Sequence, residues 1–138
     1  MGKLIGFLQI IRPLNCIMMG FAVIVGASLV SNISFSSNLL FGFVTSFALT
    51  AASMVTNDYY DRKIDAINEP NRPIPRGDIN PKEALVFAST LSLLGLITAY
   101  LTNLPSFALA IIAWITSLVY ITKGKSTGLP GNLLVSIT

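Results

Sequence analysis

Four long apolar runs, at about residues 14–30, 39–55, 85–101 and 104–121, alternate with polar connectors along the 138-residue chain. Each comes close to the ~20 residues that a helix needs to cross ~30 Å of hydrocarbon at about 1.5 Å per residue. The pattern predicts four membrane-spanning helices. Ahead of the first, Leu4, Ile5, Leu8 and Ile11 recur at helical spacing with Lys3 opposite. That spacing predicts a short interfacial helix, which Pro13 kinks or restarts. The apolar run at 133–138 reads as the opening of a fifth span, so the sequence is expected to be incomplete. The expected fold class is all-α, a polytopic transmembrane helix bundle of four spans plus the start of a fifth.

Composition agrees: 53% of the residues are hydrophobic and only 11% charged, far more apolar than a soluble domain needs for its core. Lys3 and Arg12 ahead of an apolar run look like a signal peptide, but Pro13 interrupts the run, its length suits a span, and three more spans follow. The single cysteine, Cys16, falls inside the first span and is read as a packing residue. There is no histidine, which excludes histidine metal sites and histidine acid–base catalysis.

Net charge is +3, yet the distribution argues against nucleic acid as a partner. The charged residues lie in three stretches, Lys3 to Arg12, Asp58 to Glu83, and Lys123 to Lys125, while the connectors at 31–38 and 103–105 carry none. With four spans the three charged stretches fall on one side. The positive-inside rule makes that side cytoplasmic, so the expected placement is an integral, multi-pass protein of the cell membrane with its N-terminus and the 57–82 connector in the cytoplasm. Within the second span Ala48, Ala51, Ala52 and Ser53 are small enough to let another helix approach, and Gly20, Gly26 and Gly95 read the same way. Residues 68–81 are rich in Pro, Asn and Gly, a turn-forming loop that ends where Asn80 caps a helix with Pro81 in its first turn.

The acidic cluster Asn57-Asp58-Tyr59-Tyr60-Asp61-Arg62-Lys63-Ile64-Asp65 follows the second span. If the helix continues past Val55, Asp61 lies at about −60° and Asp65 at about −20° from Asp58, with Asn57 at about −100°. The three carboxylates then share one face, spread over ~10 Å. Such a row suits Mg²⁺, a hard cation held by carboxylates together with substrate phosphates. The plain alternative is a set of interfacial charges paired with Arg62. Like charges this close repel unless a cation joins them, which favours the metal. Arg72 and Arg76, in a proline-stiffened loop, match phosphate oxygens with their planar forks; they also suit a topology signal contacting lipid headgroups.

The run Asn57-Asp58-x-x-Asp61-x-x-x-Asp65, followed by Asn68-x-Pro70-x-Arg72-Pro73-Ile74-Pro75, resembles the first aspartate-rich motif of the UbiA superfamily of intramembrane prenyltransferases. Arg12-Pro13-x-Asn15, Tyr120-x-x-Lys123 and Gly131-Asn132 resemble the same superfamily, so the likeness covers essentially the whole chain. The loops look most like the archaeal ether-lipid branch, the digeranylgeranylglyceryl phosphate synthases. The resemblance implies that Mg²⁺ bridges aspartates and the diphosphate of a prenyl donor, which ionises to an allylic carbocation captured by the acceptor. For the archaeal branch it implies geranylgeranyl diphosphate as donor and the lipid phosphate geranylgeranylglyceryl phosphate as acceptor, joined as an ether. Carried over residue by residue, Asn57, Asp58, Asp61 and Asp65 would hold metal and diphosphate. Arg72, Arg76 and Lys123 would neutralise phosphate with Tyr120 nearby, and Asn15 would project into the pocket. Three of these have plainer readings: Lys123 as a snorkelling lysine, Tyr120 as an interfacial tyrosine, and Asn15 as an interhelical hydrogen-bonding residue.

The resemblance also implies about nine spans in two pseudo-symmetric halves, with a second aspartate-rich motif that this chain lacks. The expectation is the first half of such a bundle, a fragment or a chain completed by a second polypeptide. Two rivals stand beside it: a UbiA-type enzyme with an aromatic, quinone-precursor acceptor, and half of a non-enzymatic cation transporter or channel. The gathering of the acids at one interface rather than in mid-span favours the enzyme.

Overall fold

The computed structural model describes residues 2–30 and 36–123. Lys125, Gly131-Asn132 and the expected fifth span lie outside the described residues, as does most of the first uncharged connector. Five helices follow one another: α1 (Lys3–Ile11), α2 (Pro13–Val30), α3 (Ser37–Asn68), α4 (Pro81–Thr102) and α5 (Leu104–Thr122). No strand occurs among the described residues. The last four helices are long and apolar enough to cross a membrane, and their outward residues, such as Leu29, Leu93, Ile97, Leu101 and Leu109, are exposed as lipid-facing side chains are.

The expected short first helix is present. It ends at Arg12, whose backbone is left-handed at φ 49°, and the chain restarts on Pro13, a residue suited to an N-terminal turn because it has no N–H to leave unpaired. At 32 residues α3 is longer than its apolar run. It extends about 48 Å, some 18 Å beyond the hydrocarbon thickness, so that about 12 residues at its C-terminal end stand clear of the span. Those residues carry the aspartates, so the first part of the 57–82 connector is helix and the irregular segment is only 69–80. α4 starts with a full capping box: Asn80 Oδ1 accepts from the Lys82 backbone N–H at 3.2 Å and Glu83 Oε2 accepts from the Asn80 N–H at 3.2 Å. Asn103 ends α4 and caps α5 by accepting from the Ser106 N–H at 2.7 Å.

α3 runs through the middle of the bundle and touches the other four helices. Small residues make that possible. Ala48, Ala51 and Ala52 are buried, Leu49 lies against Gly95 of α4, and Phe43 lies over Gly20 of α2. Gly26 differs from them: among the described residues nothing lies within 4 Å of where its Cβ would be. Hydroxyls fasten the helices where backbones come near, Thr45 to Thr98 at 2.8 Å and Ser53 to Ser117 at 2.9 Å, and Trp114 Nε1 donates to Ser92 Oγ at 3.0 Å. Cys16 is fully buried and donates to the Ile11 carbonyl, a packing role as expected.

Candidate functional site

The aspartates stand on the last three turns of α3, above a core formed by Val55, Ile10, Ile11, Cys16, Ala84 and the loop residues Ile74 and Ile79. Ile79 is fully buried, and Gly6 of α1 lets Asp78 and Ile79 approach to within about 3.2 Å of a would-be Cβ. The loop is thereby pinned beneath α1. Arg76 reinforces the clamp, donating to Gln9 Oε1 at 2.9 Å and pairing with Asp78. Pinning the loop places Arg72 over the helix.

Arg72 Nη1 donates to both Asp58 Oδ1, at 3.2 Å, and Asp65 Oδ2, at 2.8 Å. Arg12 Nη2 reaches the same Asp58 oxygen at 3.3 Å from the bend between α1 and α2. Asp58 and Asp65 are both buried, so two guanidinium groups balance two carboxylates that would be costly to bury alone. Arg62 takes no part in this balance. It donates to its own helix at the Tyr59 carbonyl, 2.6 Å away, and lies over the Tyr59 ring.

Asp61 points elsewhere. It is half-buried, and its Oδ2 accepts from Asn57 Nδ2 at 3.1 Å. Helical periodicity puts Asn57 and Asp61 on the side of α3 that carries Ser46, Thr50 and Ser53. Those three residues help to line a cleft of about 510 Å³ between α2, α3, α4 and α5, whose other walls include Leu49, Leu109 and Trp114. The acid row is thus divided by partner: Asp58 and Asp65 bond the arginines of the bend and the loop, while Asp61 bonds Asn57, beyond Ser53, the last α3 residue in the lining of the cleft.

The remaining expected site residues are placed less closely. Tyr120 and Lys123 close α5 about one and two turns past the Ser53–Ser117 bond, at the end of the bundle where Asn57 stands. Asn15 is exposed in the first turn of α2, three residues after Arg12. Arg12 has a partner that sequence reasoning left unassigned. Its one signal was a cation directly ahead of Pro13, where a helix must bend.

Among the described residues no group of three carboxylate, cysteine or histidine side chains converges on one point. The donor set nevertheless fits a hard cation. Mg²⁺ takes oxygen ligands, and Asn57 and Asp61 offer an amide oxygen and carboxylate oxygens side by side on α3, joined here by the Asn57 amide N–H, with no sulfur or imidazole to compete.

Comparison with known proteins reaches the same region from another direction. The pattern of the UbiA prenyltransferase family matches residues 19–138. Digeranylgeranylglyceryl phosphate synthase of Methanospirillum hungatei is 41% identical over 131 residues, covering 94% of this chain and 46% of that protein. The enzymes of the same name from Thermococcus sibiricus, at 35% over 131 residues, and Natronomonas pharaonis, at 36% over 138 residues, align with 94% and 99% of this chain and 47% and 49% of theirs. A solved structure, from work on the biosynthesis of digeranylgeranylglyceryl phosphate synthase in membranes, superposes with a TM-score of 0.92 at 34% identity over 96% of this chain and 48% of that one. The chain spans about half the length of the relatives it matches. The all-helical membrane bundle, the divided aspartate row on α3 and a match covering most of the sequence agree: this chain belongs to the UbiA prenyltransferase family.

Proposed function

We propose that this chain supplies the donor-binding region of a prenyltransferase that moves a geranylgeranyl group from its diphosphate to the free hydroxyl of geranylgeranylglyceryl phosphate, in archaeal ether-lipid synthesis. The observation that carries this reading is the Asn57–Asp61 hydrogen bond on the α3 extension, a turn or more past Ser53, the last α3 residue to line a cleft of apolar and hydroxyl side chains. A volume of about 510 Å³ is in the range of pockets that enclose small-molecule ligands, roughly 300–1,000 Å³. The arrangement suits an amphipathic donor, with its diphosphate at the polar end and its isoprenoid chain among Leu49, Leu109 and Trp114.

Asn57 and Asp61 would hold Mg²⁺, with Asp58 and Asp65 behind them. Bound there, the ion neutralises the diphosphate and makes it a better leaving group. The chain's own residues do the rest. Asp58 and Asp65, tied to Arg12 and Arg72, hold the α3 extension in register with the loop, which fixes where Asn57 and Asp61 point. Lys123 and Tyr120, at the same end of α5, would meet the far side of the diphosphate. The helix walls keep water from the allylic carbon once the carbon–oxygen bond to diphosphate has lengthened. The acceptor hydroxyl then attacks that carbon as the carbon–oxygen bond to diphosphate breaks, and its proton passes to the departing diphosphate. The polar ends of α3 and α5 and the 69–80 loop are assigned to the cytoplasmic side from the distribution of Lys and Arg.

The test is binding. Geranylgeranyl diphosphate titrated into the purified chain in detergent, with and without Mg²⁺, should bind only with the metal, and Asp61→Ala should abolish that dependence. Binding that stays Mg²⁺-dependent in Asp61→Ala removes the assignment. A protein of full family length containing this region should form the prenyl ether with geranylgeranylglyceryl phosphate; product with an aromatic acid instead replaces the acceptor half of the reading.

A further inference from the structure

A second hollow, of about 450 Å³, lies between α1 and the start of α4, away from the cleft. Phe7 of α1 and Lys82, Glu83, Val86, Phe87 and Thr90 of α4 line it. Its chemistry is graded along α4. Lys82 and Glu83 stand at the polar start of the helix, and Thr90 lies about 12 Å further into the apolar stretch. The Phe7 and Phe87 rings meet edge to face with centroids 4.9 Å apart and form an apolar floor. Thr90 Oγ1 donates to the Val86 carbonyl at 2.9 Å, so its hydroxyl is already satisfied and its methyl is left for contact. Val86 is 68% exposed, and Leu4 and Leu8 of α1 are exposed too, as in a helix seated at a membrane interface.

Charge at the mouth is not balanced. Glu83 is held by Lys3, whose Nζ donates to Oε1 at 2.7 Å, and its other oxygen accepts from the Asn80 N–H. Lys82 makes no ion pair among the described residues. The mouth therefore carries one net positive charge, at the polar start of α4, and the apolar part of the hollow runs from there along the helix.

We propose that this groove holds one anionic glycerophospholipid, with its phosphate against Lys82 and one chain lying along Val86 to Thr90 over the two phenylalanine rings. A zwitterionic lipid would bring its own cation up to Lys82 and lose part of the attraction. The site is separate from the Asn57–Asp61 pair and does not depend on the transfer reaction.

Native mass spectrometry of the chain released from nanodiscs of mixed phosphatidylcholine and phosphatidylglycerol tests it. One phosphatidylglycerol should be retained in preference to phosphatidylcholine. Lys82→Gln should lower that retention about five-fold, the effect of one lysine at an anionic lipid surface. The substitution spares the helix start, because Asn80 caps the backbone N–H of residue 82 and not its side chain. Lys63→Gln, on α3, should leave retention unchanged. Val86→Trp should lower it by filling the trough with no change of charge. The proposal is overturned by equal retention of the two lipids, by an equal effect of Lys63→Gln and Lys82→Gln, or by undiminished retention in Val86→Trp.

Discussion

To the phosphate and headgroup readings of Arg72 that the sequence offers, the structure adds a third, counter-ion for buried aspartates. In the structure its guanidinium lies on Asp58 and Asp65, whose side chains are only 5% and 9% exposed. Taking one partner from a buried pair leaves an uncompensated charge, at about 3–5 kcal/mol. Arg72 is itself 29% exposed and Arg12 stays on Asp58, so the lower end, about 3 kcal/mol, is expected for Arg72→Gln. Asp65→Asn keeps the geometry and loses only the charge assistance of one bond, about 1–2 kcal/mol, since Arg72 retains Asp58. In the double variant the remaining Arg12 and Asp58 balance each other, and residue 65 no longer carries a charge to bury. The combined loss should then fall short of the sum by at least about 1.5 kcal/mol.

Equilibrium unfolding in mixed micelles measures this cycle, with fluorescence of the single tryptophan, Trp114, as the reporter. Losses that add to within about 0.5 kcal/mol would refute the counter-ion role and return Arg72 to the phosphate.

Three other substitutions test the packing that carries the site. Gly95→Ala would put a Cβ 2.7 Å from Leu49 Cγ and 3.4 Å from the Leu49 backbone nitrogen, and should cost about 1–3 kcal/mol in the same unfolding assay, whereas Gly26→Ala should be neutral or slightly stabilising. Ser92→Ala leaves the Trp114 indole N–H without its acceptor, so stability should fall by about 1 kcal/mol and the tryptophan emission should shift. Asn80→Ala removes the cap of α4 at about 1 kcal/mol, seen as faster amide hydrogen exchange in the first turn of that helix while the middle of α3 is unaffected.

Much of the fold is legible in the sequence because the membrane imposes it. Backbone groups in hydrocarbon must bond within their own helix, so apolar length translates directly into helix, and each of the four runs lies inside one of α2 to α5, although α3 continues thirteen residues past the end of its run. The start of α4 was equally readable, since Asn80, Pro81 and Glu83 are local signals that need no tertiary information. Gly26 shows the opposite case. A glycine in a span signals close packing only if another helix passes there, and none of the described neighbours does. The partners of Arg12 and Arg76 were likewise out of reach. Arg12 is 46 residues from Asp58 in sequence, and Arg76 is 67 from Gln9; the contacts exist because α1 folds back over the loop, a tertiary event with no local periodicity to announce it.

The divided acid row follows from electrostatics that helical geometry already contained. Asp58 and Asp65 are separated by about 20° around α3, close enough for one guanidinium to reach both, while Asp61 is turned about 60° away from Asp58. Three carboxylates left on one face would repel one another and any diphosphate that approached. With Arg12 and Arg72 set against Asp58 and Asp65, two of the three negative charges in the row are balanced by the bend and the loop. On the proposed reading this is what lets a polyanionic donor approach a site built from aspartates: two acids anchor the scaffold, and the third meets the cation with Asn57. It also sets a limit on the loop. Arg72 is engaged with Asp58 and Asp65, and Arg76 with Asp78 and Gln9, so on the proposed reading a diphosphate would have to compete with those partners for the loop arginines.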